Sequence, residues 1–181
     1  MKKLFTVATA ILICSLTYAQ DYIRSNKIDN GTHIIEAYPS MFQHQTEQYF
    51  LCWNYMETNG NELYYLSILC SDQVAPWYVK PGDKAYLRLA LESDYHEITA
   101  LLDATPERYT AADGSTKYKT LASYLIPKSL YDLLYKGFDR FLIKAHMQKN
   151  NADVSIAVEM PFAAIEHMLM SYLDIMYASG K

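Results

Sequence analysis

The sequence predicts an α+β fold: a single antiparallel sheet of about seven or eight hairpin-connected strands with one short helix and a long C-terminal amphipathic helix packed on the sheet. Two observations predict it. Apolar and polar residues alternate with a period of two over much of the chain, between turn signals such as Asn59-Gly60 and Asp113-Gly114. After Pro161 the period lengthens to that of a helix, in "PFAAIEHMLMSYLDIMYAS".

The expected strands follow one another along the chain with short turns between them. Pro39 is expected to bend or end the first of them, because proline cannot donate a hydrogen bond to a sheet. The expected strands cover residues 32–42, 49–57, 62–70, 84–91, 95–103, 118–126, 138–147 and 153–159.

Two segments have helical spacing. "PKSLYDLLYKG", residues 127–137, places three leucines at i, i+3 and i+4 and ends at Gly137, which predicts a short amphipathic helix. In the C-terminal helix the apolar stripe is broad enough to be buried on more than one side. Either the helix lies across a curved sheet, or its second flank meets a partner chain, which leaves open a homodimer through this helix. The stripe consists of Phe162, Ile165, Leu169, Tyr172, Leu173 and Met176, widened by Met168, Met170 and Ile175.

The N-terminus reads as a cleaved secretory signal peptide, residues 1–19. Lys2 and Lys3 precede an apolar run, and small residues precede a cleavage position after Ala19. A lipoprotein signal at Cys14 is disfavoured because the bulky Ile13 stands where a small residue is expected. The mature chain, residues 20–181, is then expected to form a single α+β domain in the periplasm or outside the cell.

Composition narrows the classes of partner. The full chain has 16 basic and 20 acidic residues. Loss of Lys2 and Lys3 leaves a formal charge of about −6, which argues against nucleic acid as a partner. After the signal, no apolar run approaches the roughly 20 residues of a membrane span, so no transmembrane segment is expected in the mature chain.

Cys52 and Cys70 are predicted to form a structural disulfide, because export to an oxidising compartment favours pairing. A two-residue Asn59-Gly60 loop would place them on opposite faces of the hairpin, whereas a three- or five-residue loop centred on Asn61 makes them direct neighbours. The second register is the one expected here. It gathers on one apolar face Phe50, Cys52, Met56, Tyr64, Leu66, Ile68 and Cys70.

In that register the opposite face of the hairpin is also apolar, and its aromatic residues Trp53, Tyr55 and Tyr65 are the candidate binding residues. A helix is expected to cover this face; the alternative is an open platform for a partner or a sugar. The mature chain holds 16 of the 17 tyrosines, which suits both strand formation and recognition surfaces. The other members of this face are Leu51, Leu63 and Leu69.

The sequence lacks the local motifs of catalytic and metal sites. It contains no Gly-x-Ser-x-Gly, Ser-x-x-Lys or His-Glu-x-x-His pattern and no glycine-rich phosphate loop, so no catalytic residue, metal or cofactor is assigned. Three carboxylates near His96, at Glu92, Asp94 and Glu97, are read as solvated turn residues. The histidines are scattered singly: His33, His44, His96, His146 and His167.

These observations favour an exported bacterial protein that acts as a non-enzymatic binding or interaction module for a protein or envelope component. The alternative is a small-ligand or glycan-binding protein that uses an aromatic-lined sheet face. A hydrolase whose carboxylates are gathered only by the fold is the third hypothesis.

Overall fold

The computed structural model describes residues 22–180, and the predicted signal peptide lies outside them. Within this range twelve strands join into one sheet, and all pairings between them are antiparallel. The α+β class is therefore confirmed, with more strands than expected. The strands are β1 (Ile23–Asp29), β2 (Thr32–Ala37), β3 (Ser40–His44), β4 (Glu47–Thr58), β5 (Asn61–Gln73), β6 (Trp77–Tyr78), β7 (Lys84–Leu89), β8 (Tyr95–Ala100), β9 (Glu107–Thr110), β10 (Thr116–Leu125), β11 (Phe138–Met147) and β12 (Asp153–Glu159).

The sheet curls so that strands distant in its order face each other across the core. Its order is β1-β2-β4-β5-β10-β8-β7-β11-β12, with β3 beside β4, β6 beside β11 and β9 beside β10. Tyr49 of β4 and Phe141 of β11 lie five steps apart in this order, yet their ring centroids are 5.7 Å apart. The core therefore lies inside the curl, and the opposite surface of the sheet faces outward.

The register of the β4–β5 hairpin differs from the expected one. Asn59 and Gly60 both have positive φ, 53° and 76°, and Thr58 pairs directly with Asn61. This is a two-residue turn of the kind whose twist matches the twist of antiparallel strands. The expected loop centred on Asn61 is wrong, and every side chain of one strand moves to the other face relative to that expectation.

The predicted disulfide is wrong as a consequence of this register. Cys70 pairs with Tyr49 and faces the core, whereas Cys52 pairs with Ser67 and faces outward. Both cysteines are free thiols.

The two helical segments begin where the sequence predicts, but both differ in detail. The short one divides into α1 (Lys128–Tyr131) and a single 3₁₀ turn (Leu134–Lys136). The C-terminal helix α2 (Phe162–Ala178) contacts β1 to β4 and β11, across the open side of the curl. No helix among residues 22–180 is both long and apolar enough to cross a membrane.

The face that α2 buries is rotated from the expected stripe. Phe162 and Leu173 were expected in the core, but they are 78% and 41% exposed. Asp174 is buried instead and accepts a hydrogen bond from the Tyr22 backbone N–H at 3.2 Å, so a polar contact helps to set the rotation. The buried face comprises Ala164, Met168, Ser171, Tyr172, Asp174 and Ile175.

Candidate binding groove

Two of the three candidate binding aromatics lie in the core. Trp53 is 1% exposed, its indole N–H donates to the Met168 carbonyl oxygen at 2.9 Å, and its ring meets Phe138 and Tyr172. Tyr55 is fully buried beside Tyr64. The C-terminal helix therefore covers Trp53, as the sequence predicts for the hairpin face that carries this residue. Tyr65 lies on the opposite face of the hairpin, half-buried and facing outward.

The outward face of β4, β5 and β10 carries a continuous groove. Three hollows of about 290, 460 and 450 Å³ lie along it. The first shares Glu36, Asn54 and Ser67 with the second, and it shares Leu69 and Leu121 with the third. We call this continuous depression the outer groove.

Aliphatic side chains form the largest group among the residues that line the outer groove, which also carries five charged side chains: Arg24, Glu36, Asp103, Glu107 and Lys119. Arg24, Glu36 and Pro39 lie at one wall, and the segment after β8, residues 101–105, forms the other. Among the larger apolar side chains of the floor and walls, two are aromatic, Phe50 and Tyr65. The others are Met56, Leu63, Leu69, Leu101, Leu102 and Leu121.

A short polar row crosses this apolar floor. The Asn54 side-chain amide donates to Ser67 Oγ at 3.1 Å and to the Cys52 carbonyl oxygen at 3.0 Å, and Ser67 Oγ lies 3.2 Å from Ser123 Oγ. Whichever serine donates in the last contact, one hydroxyl proton of the pair remains, and it has no protein acceptor within residues 22–180. The row can therefore offer a hydrogen bond to an acceptor atom on a bound molecule.

Two ionisable side chains on the groove floor, Cys52 and Tyr65, are neutral at neutral pH. Burial, followed by the nearby Glu36 carboxylate, raises the pKa of the Cys52 thiol to about 11, and the thiol donates to the Ala37 carbonyl oxygen at 3.0 Å. Burial also raises the pKa of Tyr65. A thiol held in its protonated form is a poor nucleophile, so this geometry suits binding rather than covalent chemistry at Cys52.

Two carboxylates of the cluster near His96, those of Glu92 and Glu97, form ion pairs. Glu92 contacts Lys136 Nζ at 2.7 Å and His96 Nε2 at 2.9 Å, and the hydrogen bond from Lys136 is the main cause of its lowered pKa. Glu97 pairs with Lys84 at 2.9 Å. These pairs lie within the β7–β8 hairpin and tie it to the 3₁₀ turn, so they give the cluster a structural role.

A second, more polar hollow of about 420 Å³ lies between β11, β12 and the turn before β7. There His146 contacts Asp83 through Nε2 at 3.0 Å and Asp153 through Nδ1 at 2.9 Å. These contacts link three elements and use both ring nitrogens. Among residues 22–180 no group of three or more His, Cys, Asp or Glu side chains is arranged to hold a metal ion.

Comparison with known proteins gives no match to a family model, to a curated protein or to a solved structure. The functional argument therefore rests on the outer groove itself. Sequence reasoning missed its polar row, although the signal is visible: Asn54, Ser67 and Ser123 are small polar residues within strands that are otherwise rich in apolar residues.

Proposed function

We propose that the mature chain is an exported, non-enzymatic binding protein whose outer groove holds an elongated, mainly apolar molecule of the cell envelope. The observation that carries this proposal is one polar row on an aliphatic floor. Ligand sites are typically lined by apolar side chains, with a few polar groups that fix the orientation of the ligand. Export rests on the signal-like N-terminus of the sequence.

The shape and lining of the groove favour an acyl chain with a carbonyl group as the ligand. The groove crosses three strands spaced about 4.8 Å apart, so a flexible chain of roughly 10–15 Å can follow it. Cys52 and Tyr65 on its floor are neutral, and its aliphatic side chains can pack along methylene groups. The free hydroxyl proton of the Ser67–Ser123 pair then has a carbonyl oxygen as its acceptor.

A glycan ligand is the second candidate, because Tyr65 and Phe50 are aromatic and lie in the groove. Sugar-binding platforms stack rings on aromatic faces, and the groove offers two such side chains among a larger number of aliphatic ones. The lining therefore supports the acyl chain more strongly.

The test is a calorimetric titration of the mature protein with 1-lauroylglycerol, a neutral lipid with one ester carbonyl. We expect saturable binding that Leu121→Glu abolishes, since Leu121 is 58% exposed and lies where two of the hollows meet. Ser123→Ala should weaken binding about three- to tenfold through loss of one hydrogen bond. Leu91→Glu, at the fully exposed tip of the β7–β8 hairpin, is the matched control and should bind like wild type.

Absence of saturable binding, or equal binding by Leu121→Glu and wild type, would refute the acyl-chain proposal. Binding of oligosaccharides that depends on Tyr65 and Phe50 would favour the glycan candidate instead.

A further inference from the structure

The outward face of the C-terminal helix α2 is apolar except for Glu166. Phe162, Leu169, Leu173 and Tyr177 recur at spacings of seven, four and four residues, so they lie in one stripe on the side opposite the buried face. Phe162, Leu173 and Tyr177 are 78%, 41% and 53% exposed. Surface helices normally carry charged residues on this side.

The charge of the helix narrows the kind of surface that can cover this stripe. Between Phe162 and Ala178 the charged residues are Glu166, on the outward side, and Asp174, which is buried. Helices that lie on membranes carry lysine and arginine on their polar face to meet anionic lipids. This helix has none, and the chain as a whole is acidic, so a protein surface fits the stripe better than a membrane surface does.

We infer that the stripe on α2 is the interface of a homodimer in which two copies of the helix pack antiparallel across a two-fold axis. The stripe complements itself in this arrangement. With the axis between Leu169 and Met170, Phe162 of one copy meets Tyr177 of the other, and Glu166 lies beside Leu173. The two Glu166 carboxylates are then about 10 Å apart along the helix axis at a rise of about 1.5 Å per residue, so like charges do not face each other.

The available area fits a weak dimer. A fully buried aromatic side chain covers about 150–250 Å², so the exposed parts of Phe162, Leu173 and Tyr177 supply roughly 300–400 Å² per copy. Stable interfaces bury about 800 Å² per partner. Tyr135 of the 3₁₀ turn is also exposed. The turn lies beside α2, because Gly137, directly after it, packs near Leu169. Tyr135 can therefore extend the interface next to the helix. We therefore expect a dissociation constant in the micromolar range.

Sedimentation equilibrium of the mature protein at about 1 to 100 µM tests the inference, with a concentration-dependent dimer as the expected result. Leu173→Glu should raise the dissociation constant at least about tenfold. Each new carboxylate would lie beside Glu166 of the other copy, and the two-fold axis produces this repulsion twice in the dimer. Leu173→Lys should weaken the dimer less than Leu173→Glu does, because the lysine ammonium group would face the Glu166 carboxylate with the opposite charge. The double variant Glu166→Lys/Leu173→Glu should recover most of the wild-type affinity.

Leu121→Glu, at a leucine that is 58% exposed on the far side of the sheet from α2, is the matched control for dimerisation and should dimerise like wild type. Thermal unfolding of each variant checks that folding is intact. A wild-type protein that is monomeric at about 100 µM would overturn the inference, as would Leu173→Glu and Leu173→Lys variants that dimerise equally. Sedimentation of monomeric protein with phosphatidylglycerol vesicles, lost in Leu173→Glu, would assign the stripe to a membrane instead.

Discussion

Replacement of Trp53 by alanine should strongly destabilise the fold, because this residue joins the sheet to the C-terminal helix. Its ring lies between Phe138 and Tyr172, with centroid distances of 5.8 and 5.6 Å, and its N–H donates to the Met168 carbonyl oxygen. Truncation of a buried tryptophan to alanine costs about 3–5 kcal/mol, and the lost hydrogen bond contributes about 1 kcal/mol.

The expected loss of about 4–5 kcal/mol is at least about a quarter of the total stability of a typical domain, about 5–15 kcal/mol. For a domain of this size it should lower the melting temperature by roughly 10–20 °C. Trp53→Phe retains most of the ring packing and loses the indole N–H, so its cost should be smaller, about 1–2 kcal/mol.

Urea unfolding followed by far-ultraviolet circular dichroism measures these differences. Leu121→Ala, an exposed position on the other side of the sheet, is the control and should change the unfolding free energy by less than about 0.5 kcal/mol. A Trp53→Ala protein within about 1 kcal/mol of wild type would show that the ring does not hold α2 on the sheet, and would refute the reasoning.

Three further predictions concern titration, thiols and backbone conformation. Burial lowers the pKa of His167 below its ordinary value of 6.5, so the native state binds fewer protons than the unfolded state between the two pKa values. The unfolding free energy should therefore fall as the pH drops below 6.5, and His167→Gln should flatten that slope in urea titrations at several pH values. Ellman's reagent should label Cys52 slowly in the native mature protein and Cys70 only after unfolding, because burial raises the pKa of Cys70 to about 12; a disulfide found in the exported protein would contradict this. Gly137 has φ 71° and ψ 173°, a conformation open essentially to glycine alone, so Gly137→Ala should cost about 1–3 kcal/mol, and an unchanged melting temperature would count against that strain.

Periodicity was sufficient to predict the architecture. Alternation in "KAYLRLAL" and the helical spacing after Pro161 identify the type of each element, and β7 and α2 form there. The three strands that the sequence did not predict are β1, β6 and β9, and in each the alternation is short or weak. β6 has two residues, and β1 carries mostly polar side chains at the edge of the sheet.

Choices between two faces could not be made from periodicity alone. Both faces of the β4–β5 hairpin are apolar, so a shift of one residue exchanges one plausible core for another. The turn at Asn59-Gly60 decides the register through its two positive φ values, and it places Trp53 inward and Tyr65 outward. The rotation of α2 likewise depends on distant partners, since Asp174 is held by the Tyr22 backbone. The polar row of the outer groove spans β4, β5 and β10, which only the completed sheet brings together.

The two faces of the β4–β5 hairpin differ in how freely their residues can vary during evolution. The inward side chains, such as Trp53 and Leu66, are enclosed by the core, so most substitutions there carry a folding penalty. The outward side chains, such as Leu69 and Ser67, alternate with them along the same strands but line the outer groove. Mutational drift can therefore reshape the groove for a different molecule one residue at a time, while the neighbouring residues preserve the scaffold.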